Sequence, residues 1–158
     1  MNECVLRLAY AEELPRVFEL KRQIHQLHVD GDPERFKPIR SMEDFVQHAS
    51  GEGMHLLLAE YNGEVLAYAL LREIHRPETV NMLPRNAMEV DEFCVGESVR
   101  RMGIGRKLMQ KVLQFSKEKG FSRLELNVWS FNDDAMRFYE AFGFQTERLY
   151  MKMNLNNE

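Results

Sequence analysis

The stretch Val95-Gly96-Glu97-Ser98-Val99-Arg100-Arg101-Met102-Gly103-Ile104-Gly105-Arg106 sets a glycine-spaced, cationic turn between a strand-like run and the start of a helical pattern. Backbone N–H groups at such a turn, reinforced by the positive end of a helix dipole, suit a phosphate. Gly103 and Gly105 let the main chain approach an anion closely, and Arg101 and Arg106 can add charge-assisted hydrogen bonds. Chemically the segment reads as a pyrophosphate cradle, although a Gly-x-Gly at a helix start also serves as a plain tight turn. It is not the dinucleotide fingerprint, because Leu108 stands where the third glycine belongs, and it is not a Walker loop, because no Gly-Lys-Ser/Thr follows.

A second group, Asn132-x-x-Ala135-x-x-Phe138-Tyr139-Glu140-x-x-Gly143-Phe144, begins one strand later. Together the two segments resemble the GNAT superfamily of acetyl-CoA-dependent N-acyltransferases. Arg100-x-x-Gly103-x-Gly105 is similar to its pyrophosphate-binding signature, and the run from Asn132 to Phe144 is similar to its second cofactor motif, in the family's order and spacing over residues 88–145. The resemblance implies acetyl-CoA as co-substrate and a direct transfer to an amine. It implies that strand four parts from strand five at a bulge, where pantetheine adds like an extra strand along Phe93, Cys94 and Val95. It assigns the pyrophosphate to Arg100, Arg101, Met102, Gly103, Ile104, Gly105 and Arg106, and further cofactor contacts to Asn132, Ala135 and Phe138.

An amine attacking a thioester builds negative charge on the carbonyl oxygen, which a backbone N–H near Val95 can meet. The departing thiolate needs a proton, and the resemblance places Tyr139 as the acid; a phenol, with an ordinary pKa of about 10, keeps its proton at neutral pH. The attacking amine arrives as ammonium and needs a base. Alternation puts Glu89 and Asp91 on one strand face with Phe93 and Val95, and Glu92 on the other. Glu89 occupies the place of the strand-four glutamate that is the base in some family members. Asn127 stands where others carry a strand-five glutamate, so Glu89 and Asp91 both remain candidates.

These groups need elements to hold them. A strand over residues 4–8 opens the chain, followed by a helix over about 12–28, where Leu14, Val17, Leu20 and Ile24 recur at helical spacing. Residues 29–38, with two prolines and Gly31, read as a loop that acts as a lid, Gly31 being its hinge. Ser41 N-caps a second helix to about His48, with Asp44 three residues on. Runs over 55–61 and 64–74 flank Asn62-Gly63, the pair that favours a two-residue hairpin. A strand over 88–95 then leads through the glycine turn to a helix from Ile104 to Gly120. A strand over 123–129 precedes an Asn132-capped helix ended by Gly143, and a last strand or bent pair covers 144–155, leaving a loose tail. The order β-α-α-β-β-β-α-β-α-β predicts an α/β (α+β) fold, a mixed central sheet with helices on both faces.

Composition narrows the function classes. A chain of 158 residues fits one domain, 1–158, read as an acceptor-selecting half over 1–86 and an acetyl-CoA-binding half over 87–155. The net charge of −4 argues against a nucleic-acid platform, which normally carries a basic excess. No apolar run nears the roughly 18 residues of a membrane helix, and the acidic N-terminus lacks a signal pattern, so a cytoplasmic protein without membrane contact is expected. Cys4 and Cys94 form no CxxC pair and read as reduced strand residues. His25 and His28 lie near Asp30 and Asp32, but no third convergent ligand accompanies the histidines, and no metal is expected.

The leading expectation is an N-acetyltransferase for a primary amine of a small cationic molecule, drawn to Asp30, Asp32, Glu34, Glu89 and Asp91. His28, Phe36 and Trp129 are expected on the acceptor side. A protein lysine or N-terminal amine acetyltransferase and a non-catalytic acyl-CoA sensor are the alternatives, and a homodimer is left open.

Overall fold

The computed structural model describes residues 4–38 and 41–156, so the last two residues of the expected tail lie outside the described residues. Two compact units make up the chain, Met1–Leu126 and Asn127–Glu158. The first carries β1 (Val5–Leu8), α1 (Leu14–Gly31), α2 (Met42–Ala49), β2 (Met54–Tyr61), β3 (Glu64–Arg76), β4 (Arg85–Val95), α3 (Ile104–Glu118) and β5 (Leu124–Leu126). The strands form one five-stranded mixed sheet in the order β1-β2-β3-β4-β5, with β1 to β4 antiparallel and β5 parallel to β4. This is the expected α+β architecture.

Local signals explain most boundaries. Asn62 and Gly63 both adopt positive φ, 51° and 77°, the two-residue turn whose twist suits the β2–β3 hairpin. The Ser41 hydroxyl accepts the Asp44 N–H at 3.2 Å and caps α2 as its spacing predicts. α1 runs further than expected, through Gly31, because the stop is Pro33: the residue before a proline is pushed out of the helical region, and Asp32 sits at φ −147°, ψ 77°. The expected loop over 29–38 thus shrinks to residues 32–38, and the supposed hinge Gly31 is helical.

Alternation along the sheet sorts its two faces. Leu56 and Leu58 of β2 lie opposite Leu70 and Tyr68 of β3, and on them pack Leu14, Val17, Leu20 and Ile24 of α1 with Phe45 and Ala49 of α2. The other face carries Leu57, Ala59, Ala67, Ala69 and Leu71, all fully buried, and α3 covers it with Leu108, Met109 and Val112. His55, on that same face, meets the ring of Phe115 of α3 at 5.2 Å. Helices therefore lie on both faces of the sheet.

In the second unit, α4 (Asp133–Ala141) follows its Asn132 cap as expected. No strand is described over residues 144–155 within this unit. Likewise β5 pairs over three residues rather than the expected 123–129. None of the described helices is long and apolar enough to cross a membrane.

The start of α1 is tied to the sheet by charge. Glu13, buried at the turn before α1, accepts from Arg7 of β1 at 2.7 Å and from the Tyr10 N–H at 2.7 Å, and lies 3.0 Å from Arg16. Glu60 of β2 closes the set at 2.6 Å from Arg7. The Arg7 hydrogen bonds hold the Glu13 carboxyl at about 2, down from its ordinary 4.5. A lowered folded-state pKa stabilises fully above the unfolded value and is lost as pH falls toward the folded one. Glu13→Gln should therefore cost about 2–3 kcal/mol at pH 7, and urea unfolding should show the gap to the unsubstituted protein narrowing as pH drops from 5 toward 3. A gap of equal size at both pH values would show that packing, not charge, carries the contribution.

Candidate active site

The register of β3 on β4 shifts once, between Leu70 and Leu71: Leu70 pairs with Glu92 but Leu71 with Val90, so Asp91 is an extra residue in β4. An extra residue bends its strand and reverses the alternation beyond it. Sequence alternation put Glu92 opposite Glu89 and Asp91, with Phe93 and Val95 beside those two carboxylates. The bulge corrects both assignments. Glu89, Asp91 and Glu92 all face α1 and α2, where Glu89 meets Arg72, Asp91 meets His48 and Glu92 meets Lys21 and the Tyr68 hydroxyl. Phe93 and Val95 lie opposite Ala69 and Ala67, on the α3 face.

Each carboxylate has a distinct partner set. Glu89 makes a short ion pair with Arg72, whose guanidinium is also 3.5 Å from Asp91. Asp91 accepts from His48 Nε2 at 2.7 Å. Glu92 accepts from the Tyr68 hydroxyl at 3.0 Å and pairs with Lys21 of α1. Burial pushes the Cys94 thiol, beside Tyr68, up to about 11, so it keeps its proton and is a poor nucleophile at neutral pH. His48, Arg72 and Lys21 were not singled out in the sequence. A cation inside the apolar run of β3, at Arg72, was the one legible sign that a carboxylate lay across the strand.

The bulge directly follows the described ladder to β5. Pairing covers Met88–Leu124, Glu89–Glu125 and Val90–Leu126, while β4 continues to Val95 against β3. From Val95 the chain enters a 3-10 turn, Glu97–Val99, and then α3. Arg100 Nε donates to the Val95 carbonyl at 3.4 Å, and the Met102 N–H to the Val99 carbonyl at 3.3 Å. Arg101 and Gly103 take left-handed φ values of 68° and 79°.

Gly103 N-caps α3 without a side-chain hydrogen bond, and a Cβ built on it would meet nothing within 4 Å. α2 carries Glu43 and Asp44 in its first turn and α4 carries Asp133 and Asp134, the usual match to a helix dipole. The first turn of α3 has no acid; it reads Ile104-Gly105-Arg106, with Ile104 buried and Arg106 exposed. A glycine cap, open space and cations at the positive end of a helix fit an anion there.

His28 and Phe36 come together. Their rings lie 5.4 Å apart, His25 meets Phe36 edge-on at 6.2 Å, and His25 Nε2 donates to the Lys37 carbonyl at 2.6 Å. Burial, aided by the charges of His25 and Arg100, pulls His28 below its ordinary pKa and keeps it neutral at pH 7. The segment over 32–38 is thus folded back on the end of α1. Among the described residues no cluster of His, Cys, Asp and Glu could hold a metal ion.

The second unit holds the other residues singled out. Asn132 Oδ1 accepts the Ala135 N–H at 3.2 Å, and Trp129 stacks on Phe131 at 5.9 Å. At the far end of α4, the Gly143 N–H bonds the Glu140 carbonyl at 2.9 Å and the Phe144 N–H bonds the Tyr139 carbonyl at 3.2 Å. Gly143 at φ 99° makes this reversal possible, and the Phe144 ring packs 5.7 Å from that of Tyr139. Phe138 meets Tyr139 at 5.5 Å. Tyr139 therefore sits in the last turn of α4, with its backbone fixed by the helix stop.

A mixed sheet whose fourth strand bulges after its last described pair with β5 and runs through a glycine-arginine turn into a helix is the arrangement expected of an acyltransferase that uses an acyl-CoA donor. The family model for the GNAT acetyltransferase family matches residues 15–144, and the chain belongs to that family. It is 25% identical over 141 residues to the 5-NmdU N-acetyltransferase of Pseudomonas phage PaMx11, covering 89% of this chain and 86% of the phage protein. It superposes on the BH1408 protein of Bacillus halodurans, in a tetramutant form, with a TM-score of 0.87 and 26% identity, over 96% of this chain and 99% of that one. The fold is also that of aminoglycoside N-acetyltransferase AAC(6')-Iy in complex with CoA, with a TM-score of 0.74 and 17% identity, over 98% of this chain and 97% of that one. The family's acyl donor is acetyl-CoA.

The left-handed φ of Gly103 in open space separates conformation from crowding. Gly103→Asn should leave thermal stability nearly unchanged, whereas Gly103→Val should lower it by about 1–2 kcal/mol, since a β-branched residue is strained there and asparagine is not. Equal stabilities for the two variants would show that the turn does not hold this φ.

Proposed function

We propose that the protein transfers an acetyl group from acetyl-CoA directly to a primary amine of a small cationic molecule. The observation that carries this reading is the bulge at Asp91 in β4, a strand that runs on through a glycine-arginine turn into the glycine-capped, acid-free start of α3. The amides and charges of Arg100, Arg101, Met102, Gly103, Ile104, Gly105 and Arg106 hold the pyrophosphate. The edge over Phe93, Cys94 and Val95 receives the pantetheine as an added strand. Asn132, Ala135 and Phe138 complete the cofactor contacts of the second motif.

Bound acetyl-CoA supplies a thioester carbonyl, and the residues of this chain do the rest. A main-chain N–H on the β4 edge donates to the carbonyl oxygen as negative charge develops on it. Tyr139 gives its proton to the sulfur as it leaves and regains one from solvent. Cys94, kept as a thiol, takes no acetyl group, which supports direct transfer rather than a relay through the enzyme. The carboxylates on one face of β4, Glu89 and Asp91, turn that face toward a cation. The segment over 32–38, pinned to α1 through His25 and Phe36, closes the acceptor side with His28, and Trp129 lines it; a folded-back segment supports a small acceptor over a protein chain.

Incubation with acetyl-CoA and a panel of polyamines, aminoglycosides and a lysine peptide, following free thiol, should show turnover with a small amine. Turnover with the peptide alone would favour a protein acceptor, and CoA binding without any turnover a sensor. Tyr139→Phe should lower kcat by about 10²–10⁴ with CoA affinity unchanged in calorimetry, and Gly103→Val should abolish CoA binding in a folded protein. Full turnover in the phenylalanine variant would remove Tyr139 from the reaction, and unaltered CoA affinity in the valine variant would remove the cradle.

A further inference from the structure

Resting on that reading, we infer that His48 of α2, held by the bulge residue Asp91, is the base that takes the proton of the incoming ammonium. The carboxylates of β4 are not equivalent. Glu89 is committed to Arg72, a permanent cation, and Glu92 to Lys21 and the Tyr68 hydroxyl. An ion-paired carboxylate is a weakened base, because its partner favours the charged form. Asp91, 3.5 Å from the same Arg72, is the one of the three that also holds an imidazole, a partner with a second ring nitrogen to offer a substrate.

The geometry sets the tautomer. Asp91 Oδ2 accepts from His48 Nε2 at 2.7 Å, so the neutral ring carries its hydrogen on Nε2 and its lone pair on Nδ1. The ring is 44% exposed, against 18% for the Asp91 side chain, so an acceptor can reach it. The charges around it are Asp91 and Glu89 from β4, Arg72 from β3 and Asp44 one turn back on α2, while Lys21 of α1 is engaged with Glu92 one residue along β4. Asp91 steadies the imidazolium that forms, as a carboxylate does for a histidine base in other enzymes. Asp91 is also the bulge residue of β4, so the imidazole is fixed to the strand along which the proposed thioester lies.

The proton count closes. The ammonium R–NH3+ gives one proton to His48 Nδ1, and the free amine forms the N–C bond to the acetyl carbon. The C–S bond breaks as Tyr139 gives its proton to the sulfur, the second nitrogen proton passes through solvent to restore the Tyr139 hydroxyl, and His48 releases its own to solvent. Amide, thiol and one free proton result. Asp91 is a positioning residue in this scheme, and His48 the group that meets the substrate.

Rates for the unsubstituted protein, His48→Gln, His48→Ala and Asp91→Asn should be measured from pH 6 to 10 with the best amine of the panel. His48→Gln should lower kcat/KM about 10²-fold at pH 7 and converge on the unsubstituted rate as pH passes the amine's own pKa, with CoA affinity unchanged. Free imidazole should restore part of the His48→Ala rate. Asp91→Asn should lower the rate at neutral pH in the same direction, because it no longer fixes the Nε2–H tautomer. A pH profile unchanged in His48→Gln, or a loss equal at every pH with no imidazole rescue in His48→Ala, would overturn the role of His48 while leaving N-acetyl transfer intact. Absence of transfer by the unsubstituted protein to any amine would overturn the reading on which it rests, and the role of His48 with it.

Discussion

One extra residue in one strand organises this molecule. Asp91 has no opposite number on β3, and the bend it makes reverses the alternation beyond it. It comes directly after the last described pair of β4 with β5, Val90 with Leu126. It also turns Glu92 onto the face that already carries Glu89, so that acids gather under α1 and α2 while Phe93 and Val95 go to the α3 side. A straight strand would have spread those carboxylates over both faces.

Gathering like charges on one face is costly unless each is answered, and the elements packed on that face answer them one by one. β3 contributes Arg72, α1 contributes Lys21 and α2 contributes His48. The two fixed cations make structural pairs, joining β4 to β3 and to the first helix. The Tyr68 hydroxyl completes the Glu92 set inside the core, where an unsatisfied carboxylate would be penalised. The Arg7–Glu13–Glu60–Arg16 cluster does similar service at the other edge, fixing where α1 leaves the sheet. Placement of the acceptor-side helices thus depends on ion pairs at both edges as well as on the apolar stripe between them.

Much of this was legible in the sequence, and what was not has physical reasons. The hairpin at Asn62-Gly63, the Ser41 and Asn132 caps and the glycine that opens α3 are local signals, each satisfied within a few residues, and each is in place. The helix expected to end near His28 runs on through Gly31, because the composition of residues 29–38 marks a loop only broadly while the stop itself is set by Pro33. The bulge left no local mark: alternation predicts faces only while the register holds, and the register is a property of two strands. Hence Glu92 was put on the wrong face, and His48, whose neighbours Phe45 and Ala49 are core residues, passed as an ordinary helix position.

The arrangement also explains why two cysteines, a buried tyrosine and several acids near one strand need not all be catalytic. Tyr68 is buried well above its ordinary pKa and hydrogen-bonded, which makes it a fixed donor rather than a titrating acid. Burial keeps Cys94 a thiol, and Cys4 on the far strand is likewise shifted upward by burial. Glu89 and Glu92 serve permanent cations. Among the three carboxylates at the bulge, Asp91 is the one that holds an imidazole, that of His48. On the proposed reading, the residue that bulges from the sheet is also the one that orients a base beside the thioester, so a shift of register would remove the bulge and the base together.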